Sequence, residues 1–232
     1  MTSLHVLSTL AVMGAMRDLT ARYEAESGAT VTADFAPTVA LLDRLRAAPS
    51  ADIAILTAQG IDDLTREGVI RPHTRTDVAL SFVGIAVKAG APKPDIASLP
   101  AFKAALLAAR SVAYSKIGAS GLFFAGLIER LGIADAVNAK ATIVPSGFTA
   151  ERLVSGEADL AVQQISELMV VPGIEVVGPL PAEIQTTATF SAGILTTSRH
   201  KDQAAALLRF LASPEIAPIL RQSGLEPAIR SS

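Results

Sequence analysis

Apolar residues in the first part of the chain alternate between short continuous runs and helical spacing. Leu4–Leu7 reads as a buried strand, and Val12, Ala15, Met16, Leu19 and Tyr23 recur at the period of a helix over Ala11–Glu26. The pair of patterns repeats as a strand over Thr30–Phe35 with a helix over Val39–Ala47, and as a strand over Asp52–Leu56 with a helix over Gln59–Glu67. Short apolar runs that alternate with amphipathic segments predict βαβ units and a mostly parallel sheet. Pro37 fits just before or within the first turn of the second helix.

The middle of the chain repeats this theme. Helices are predicted over Ala97–Ala109, Gly121–Leu131 and Thr149–Ser155, with strands over Val112–Tyr114, Ala141–Val144 and Leu160–Gln163. Two longer apolar runs, Ala79–Ala89 and Thr189–Thr196, are long enough to carry the chain from one sheet to another. Two lobes are therefore expected, residues 1–81 with 190–232 and residues 82–189, with a ligand cleft at the carboxyl ends of their strands, where α/β proteins bind ligands. Helices over His200–Leu211 and Pro214–Ser223 close the chain, with Ser213 and Pro214 placed as N-cap and first helical residue.

Composition narrows the class of protein. Half of the 232 residues are hydrophobic, but only 4% are aromatic and none is tryptophan, so the core must be built from Ala, Val, Leu and Ile. A formal net charge of -2 without runs of like charge argues against a nucleic-acid partner. The absence of cysteine excludes disulfides, thiolate catalysis and cysteine metal sites. No stretch approaches the roughly 20 apolar residues of a membrane-spanning helix, so no membrane insertion is expected. The opening MTSLHVLSTL has no basic segment and too short an apolar run for an export signal. The expectation is a periplasmic protein if such a signal has been removed, and a cytoplasmic one otherwise.

The junctions between strands and helices carry the candidate chemistry. Small hydroxyl residues and glycines stand there: Ser8 and Thr9, Thr38, then Ser120 and Gly121 in SKIGASG, and Ser146 and Gly147 in PSGF. A helix start presents unpaired N–H groups and the positive end of the peptide dipole, which suits an anion. Ser120 taken alone reads as an N-cap.

These residues, with the order of elements, resemble a known family. LSTLAVMGAMRDLTARYEAESGATVTADFAPT, SADIAILTAQGIDDLTREGVI, GEADLAVQQ and FLASPEIAPILRQSGLEPA resemble the molybdate-binding branch of the type II periplasmic solute-binding proteins. The resemblance covers nearly the whole chain. It implies an α/β, two-lobed type II periplasmic-binding-protein fold that clamps a small anion with neutral donors, and a membrane permease of the ABC-transporter type as partner. By that resemblance the ligand-binding positions are Ser8, Thr9, Thr38, Ser120, Gly121, Ser146 and Gly147. The family's first serine falls on Ala11 or close to it, and its tyrosine falls on Gln163 or Gln164. A carboxamide adds an acceptor where a phenol offers chiefly a donor. Together with Lys116 beside the third junction, it points to an organic carboxylate rather than molybdate.

The remaining residues suggest no other chemistry. His5, His73 and His200 lack metal-ligand spacing, and no metal or cofactor is expected. Asp52 reads as a turn or ladder residue, Asp62 and Asp63 as complements to a helix dipole, and Glu167 and Glu183 as helix-start or surface acids. No GxSxG, HExxH, Walker or GxGxxG motif is present. A monomeric binding protein is thus expected rather than an enzyme. The alternative is a cytosolic isomerase of an unsaturated carboxylic acid on the same fold, such as an aconitate isomerase, with Glu167 or Lys116 as its base. A ligand sensor ranks third, since no DNA-binding segment is visible.

Overall fold

The computed structural model describes residues 3–228, which form two compact units, residues 3–81 with 188–228 and residues 82–187. In the first unit β1 (Ser3–Thr9) leads through a single 3-10 turn, Leu10–Val12, into α1 (Met13–Ser27). Then follow β2 (Thr30–Ala36), α2 (Thr38–Ala47), β3 (Ile53–Thr57), α3 (Ala58–Arg66) and β4 (Thr76–Lys88), whose later residues belong to the second unit.

The second unit continues with α4 (Leu99–Ala108), β5 (Val112–Ser115), α5 (Ala119–Arg130), α6 (Ala134–Asn138) and β6 (Ala141–Val144). It ends with α7 (Glu151–Val154), β7 (Leu160–Gln164), α8 (Ile165–Leu168) and β8 (Ile174–Pro179). The chain then returns to the first unit as β9 (Thr187–Ile194), α9 (Lys201–Leu211), α10 (Ala217–Gln222) and the short β10 (Glu226–Pro227).

In the first unit β1 is flanked in parallel by β2 and β3, and β9 runs antiparallel to β3. Both faces of this sheet are covered, which explains the continuous apolar runs of its strands. Leu4, Val6, Ile53 and Ile55 pack with Met16 and Leu19 of α1 and Leu207 of α9. Leu7, Ala54 and Leu56 point the other way, onto Leu41 and Leu45 of α2 and Leu64 of α3. The period-two alternation of a strand therefore serves two helical layers at once.

In the second unit β5 lies between β6 and β7, parallel to both, and β7 and β8 each pair antiparallel with β4. Tyr114 meets Phe124 of α5 edge-on at 5.1 Å and donates its hydroxyl to Asn138 Oδ1 at 2.5 Å. A fully buried phenol is tolerated because its polar end is paired.

Three local departures from the sequence pattern have clear causes. α5 begins at Ala119 rather than Gly121, with Gly118 as the extended N-cap residue, so Ser120 is not a cap. The stretch GIEVVG, which shows no clean alternation, forms β8 because its backbone completes the pairing of β4. The predicted helix Thr149–Ser155 shrinks to α7, since Thr149 is held by β7 instead.

Candidate functional site

The donors of the first unit lie at the carboxyl ends of β1 and β2. Ser8 is fully buried and donates its hydroxyl to the Thr9 carbonyl at 3.2 Å, while Thr9 is the N-cap residue of the 3-10 turn without capping it through its side chain. Ala11 is part of the apolar core. Thr38 is the first residue of α2, behind the extended Pro37, and that helix start has no side-chain cap. The Thr38 hydroxyl oxygen is buried and has no hydrogen-bond partner. Folded proteins rarely leave a buried hydroxyl unmet.

The second unit gathers more groups. Parallel registration sets Ser115 beside Val144, and Val112 and Ala113 beside Leu160 and Ala161 of β7. The ends of β5, β6 and β7 therefore form one edge, with Ser115, the 145–149 loop, Gln163 and Gln164 along it. At this edge the glycine of SKIGASG has a packing cause: a Cβ on Gly121 would sit 1.6 Å from the Ser115 carbonyl oxygen. α5 thus starts directly against the end of β5. Ser115 Oγ accepts the Ile117 N–H at 3.2 Å, Ser120 is buried in the first turn, and Lys116 is exposed with no ion pair among the described residues.

The two adjacent glutamines do different things. Gln163 Oε1 accepts the Thr149 N–H at 2.8 Å and the Thr149 hydroxyl at 3.0 Å, and its Nε2 donates to the Gly147 carbonyl at 3.3 Å. It holds in place the loop that carries Ser146, which is exposed, and Gly147, whose φ of 82° lies in the left-handed region. Gln164 is only 2% exposed, and its side chain closes a capping box at the start of α8, facing the Glu167 backbone N–H while the Glu167 carboxyl faces the backbone N–H of Gln164. Thr149 escapes a search for helix-start hydroxyls because its role is to receive Gln163.

Glu167 completes this edge. It lies in the single turn of α8 and accepts the Gln164 N–H at 3.3 Å. Burial raises its pKa to about 7, against the opposing effect of hydrogen bonds from the Gln164 backbone and the Gln163 side chain. Among the described residues no cation contributes to that shift. It is a helix-start acid, as its position suggests, but not a surface one. Glu183 is exposed.

A cavity of about 790 Å³ is lined by Phe82, Ile96, Ile165, Val177 and Leu180 among others, and contains none of the candidate donors. Among the described residues, no group of three or more His, Asp or Glu is placed to hold a metal ion, and no helix is long and apolar enough to cross a membrane.

Comparison with known proteins adds the context. The model of the bacterial extracellular solute-binding proteins matches residues 4–226. An aconitate isomerase from a Pseudomonas species is 36% identical over 232 residues, covering 97% of this chain and 88% of its own. The Azotobacter vinelandii periplasmic molybdate-binding protein superposes with a TM-score of 0.82 at 18% identity, covering 99% of this chain and 100% of its own. The sulfate-binding protein of Mycobacterium tuberculosis H37Rv gives 0.75 at 16% identity, covering 98% of this chain and 88% of its own. The two-lobed, molybdate-binding-like periplasmic fold is therefore the fold of this chain.

Proposed function

We propose that this chain, which belongs to the bacterial extracellular solute-binding protein family, binds a small organic polycarboxylate and isomerises its double bond by proton transfer. The observation that carries this reading is Glu167: a buried carboxyl group with no cationic partner, poised near neutrality at the edge where hydroxyls and a helix start collect. A group with a pKa near the working pH can both take and return a proton. A purely electrostatic anion receptor has no use for an acid there, because an ionised Glu167 would repel the ligand.

In this reading the ligand's carboxylates are held by neutral donors, among them the first turn of α5 and Ser120, with Lys116 adding positive charge. Glu167 takes a proton from the carbon that lies between a carboxyl group and the double bond. The electron pair moves into the neighbouring carbon–carbon bond, the double bond shifts along the chain, and the proton is returned at its far end. Composition is unchanged and no redox partner is needed. The 36% identity to an enzyme named aconitate isomerase supports unsaturated tricarboxylates as the substrate class.

The family match favours a second reading, in which the protein delivers a bound organic anion to a membrane permease without changing it. Proton NMR of cis- and trans-aconitate incubated with the protein separates the two. Interconversion that is abolished by Glu167→Gln supports the isomerase. Saturable binding of either isomer without interconversion leaves the transport receptor, and no binding of either overturns both.

A further inference from the structure

A carboxamide has an acceptor at one end and two donor hydrogens at the other, and its neighbours decide which end faces which way. At Gln163 the decision is made by Thr149. The Thr149 backbone N–H, which can only donate, lies 2.8 Å from Gln163 Oε1, and the Thr149 hydroxyl lies 3.0 Å from the same atom. The amide nitrogen is thereby turned away from Thr149. One of its hydrogens goes to the Gly147 carbonyl at 3.3 Å, and the side chain also hydrogen-bonds to the Glu167 carboxyl group. Thr149, Gln163 and Glu167 are all buried.

We propose that Gln163 is a positioning residue for proton transfer: clamped by Thr149, its amide N–H holds the Glu167 carboxylate in place and ionised until it receives the ligand's proton. The proposal rests on the isomerase reading and deepens it. Burial favours the neutral acid, and a neutral acid cannot act as a base. Hydrogen bonds donated to the charged form work the other way. Glu167 receives such bonds from the Gln164 backbone N–H at 3.3 Å and from Gln163.

The charged groups nearby do not take over this task. Glu167 is the only titratable residue of α8, and neither β7 nor the 145–149 loop carries one. α8 packs against β8, whose Glu175 accepts from the Gly90 N–H at 3.0 Å and pairs with Lys93 at 2.9 Å. β4 meets α8 where Gly84 lies against Ile165, and its Lys88 donates to the Val154 carbonyl at 3.2 Å. Glu151 of α7 reaches the loop, with its Oε2 3.8 Å from the Cβ position of Gly147, and brings a negative charge.

The first test needs no ligand. Carbon NMR of protein labelled at its glutamate carboxyls follows the titration of Glu167, whose signal is the one lost in Glu167→Gln. Gln163→Met keeps the length of the side chain without the donor and should raise the midpoint by about one pH unit, the effect of one hydrogen bond to a charged group. Thr149→Val removes the hydroxyl but not the backbone N–H that orients the amide, and should leave the midpoint unchanged. It thus separates a loosened loop from a lost donor. In the unaltered protein, which needs no destabilising variant, the Gln163 side-chain N–H resonances should titrate together with Glu167.

Kinetics then tests the use of the contact. For cis-aconitate, Gln163→Met should lower kcat about fivefold at pH 7, regain it near pH 9, and change KM less than about twofold. A midpoint unmoved by Gln163→Met, or moved equally by Thr149→Val, overturns the proposal. Gln163 resonances that do not sense Glu167 overturn it too, as does a kcat lowered equally at both pH values, the mark of a structural role. Aconitate turnover with an unmoved midpoint refutes the role of Gln163 and leaves the isomerase standing. A raised midpoint in a protein that does not interconvert the aconitates overturns the isomerase and the use proposed for the contact.

Discussion

Gln163 Oε1 accepts two hydrogen bonds from Thr149, one from its backbone N–H at 2.8 Å and one from its hydroxyl at 3.0 Å. The end of β7 thereby fixes the loop that follows β6. Replacing Gln163 by Leu leaves the Thr149 N–H and the Gly147 carbonyl unmet, and should destabilise the protein by about 2 kcal/mol. Chemical denaturation monitored by circular dichroism measures it. A loss under about 0.5 kcal/mol would mean that the loop finds other partners.

At the start of α5 the constraint is steric. A methyl group at Gly121 would overlap the Ser115 carbonyl oxygen at 1.6 Å, and backbone cannot move aside as a flexible side chain can. Gly121→Ala should cost about 3 kcal/mol and displace α5 from β5. Gly126→Ala, where the nearest atom to an added Cβ is the tip of Arg130 at 3.5 Å, is the control and should be neutral or slightly stabilising.

Glu167 links stability to pH. Burial raises its folded-state pKa to about 7, above the ordinary carboxylate value of 4.5 that applies when the chain unfolds. Between those values the folded protein holds a proton that the unfolded chain has lost. This contribution is therefore present at low pH, declines as pH rises from about 4.5 towards about 7, and is absent above that. The difference amounts to about 3 kcal/mol at most. Glu167→Gln keeps an acceptor for the Gln164 N–H and should flatten the pH profile, making the variant more stable than the parent at pH 8. Parallel stability curves for the two proteins between pH 5 and 8 would contradict the buried, uncompensated state of this carboxyl group.

The alternation of strands and helices was legible because the central strands of both units are buried and so read as apolar runs such as IAIL and LAV. The junction residues were legible as a class, since hydroxyls and glycines cluster at helix starts for few reasons. Their individual roles were not. Gly121 is required by a contact with Ser115, six residues earlier and across a turn. Ser120 reads as a cap until Gly118 is seen in the extended conformation at the helix start. Gln163 and Gln164 are the same residue type in adjacent positions, yet one holds the loop of Thr149 and the other caps the turn that carries Glu167. Glu167 reads as a helix-start or surface acid because nothing in QQISEL announces that it will be buried. Each of these depends on which segments the fold brings together, which local pattern does not encode.

The unmet hydroxyl of Thr38 yields a prediction with two opposite signs. In the free protein this buried group has lost water and gained no partner, so the isosteric Thr38→Val should leave stability unchanged or raise it by about 1 kcal/mol. If the hydroxyl is kept for an anion bound at the start of α2, the same substitution should weaken that binding about tenfold. Ser8→Ala provides the contrast, because that hydroxyl is already spent on the Thr9 carbonyl; it should lower stability by about 1 kcal/mol and change affinity little. Thermal unfolding of each variant, with and without saturating tricarballylate, reads both quantities in one experiment. A Thr38→Val protein that is less stable than the parent when free, and equally stabilised by the ligand, would show that the hydroxyl serves the fold rather than the site. Gain of stability with loss of affinity is the signature of a group whose partner arrives from outside the protein.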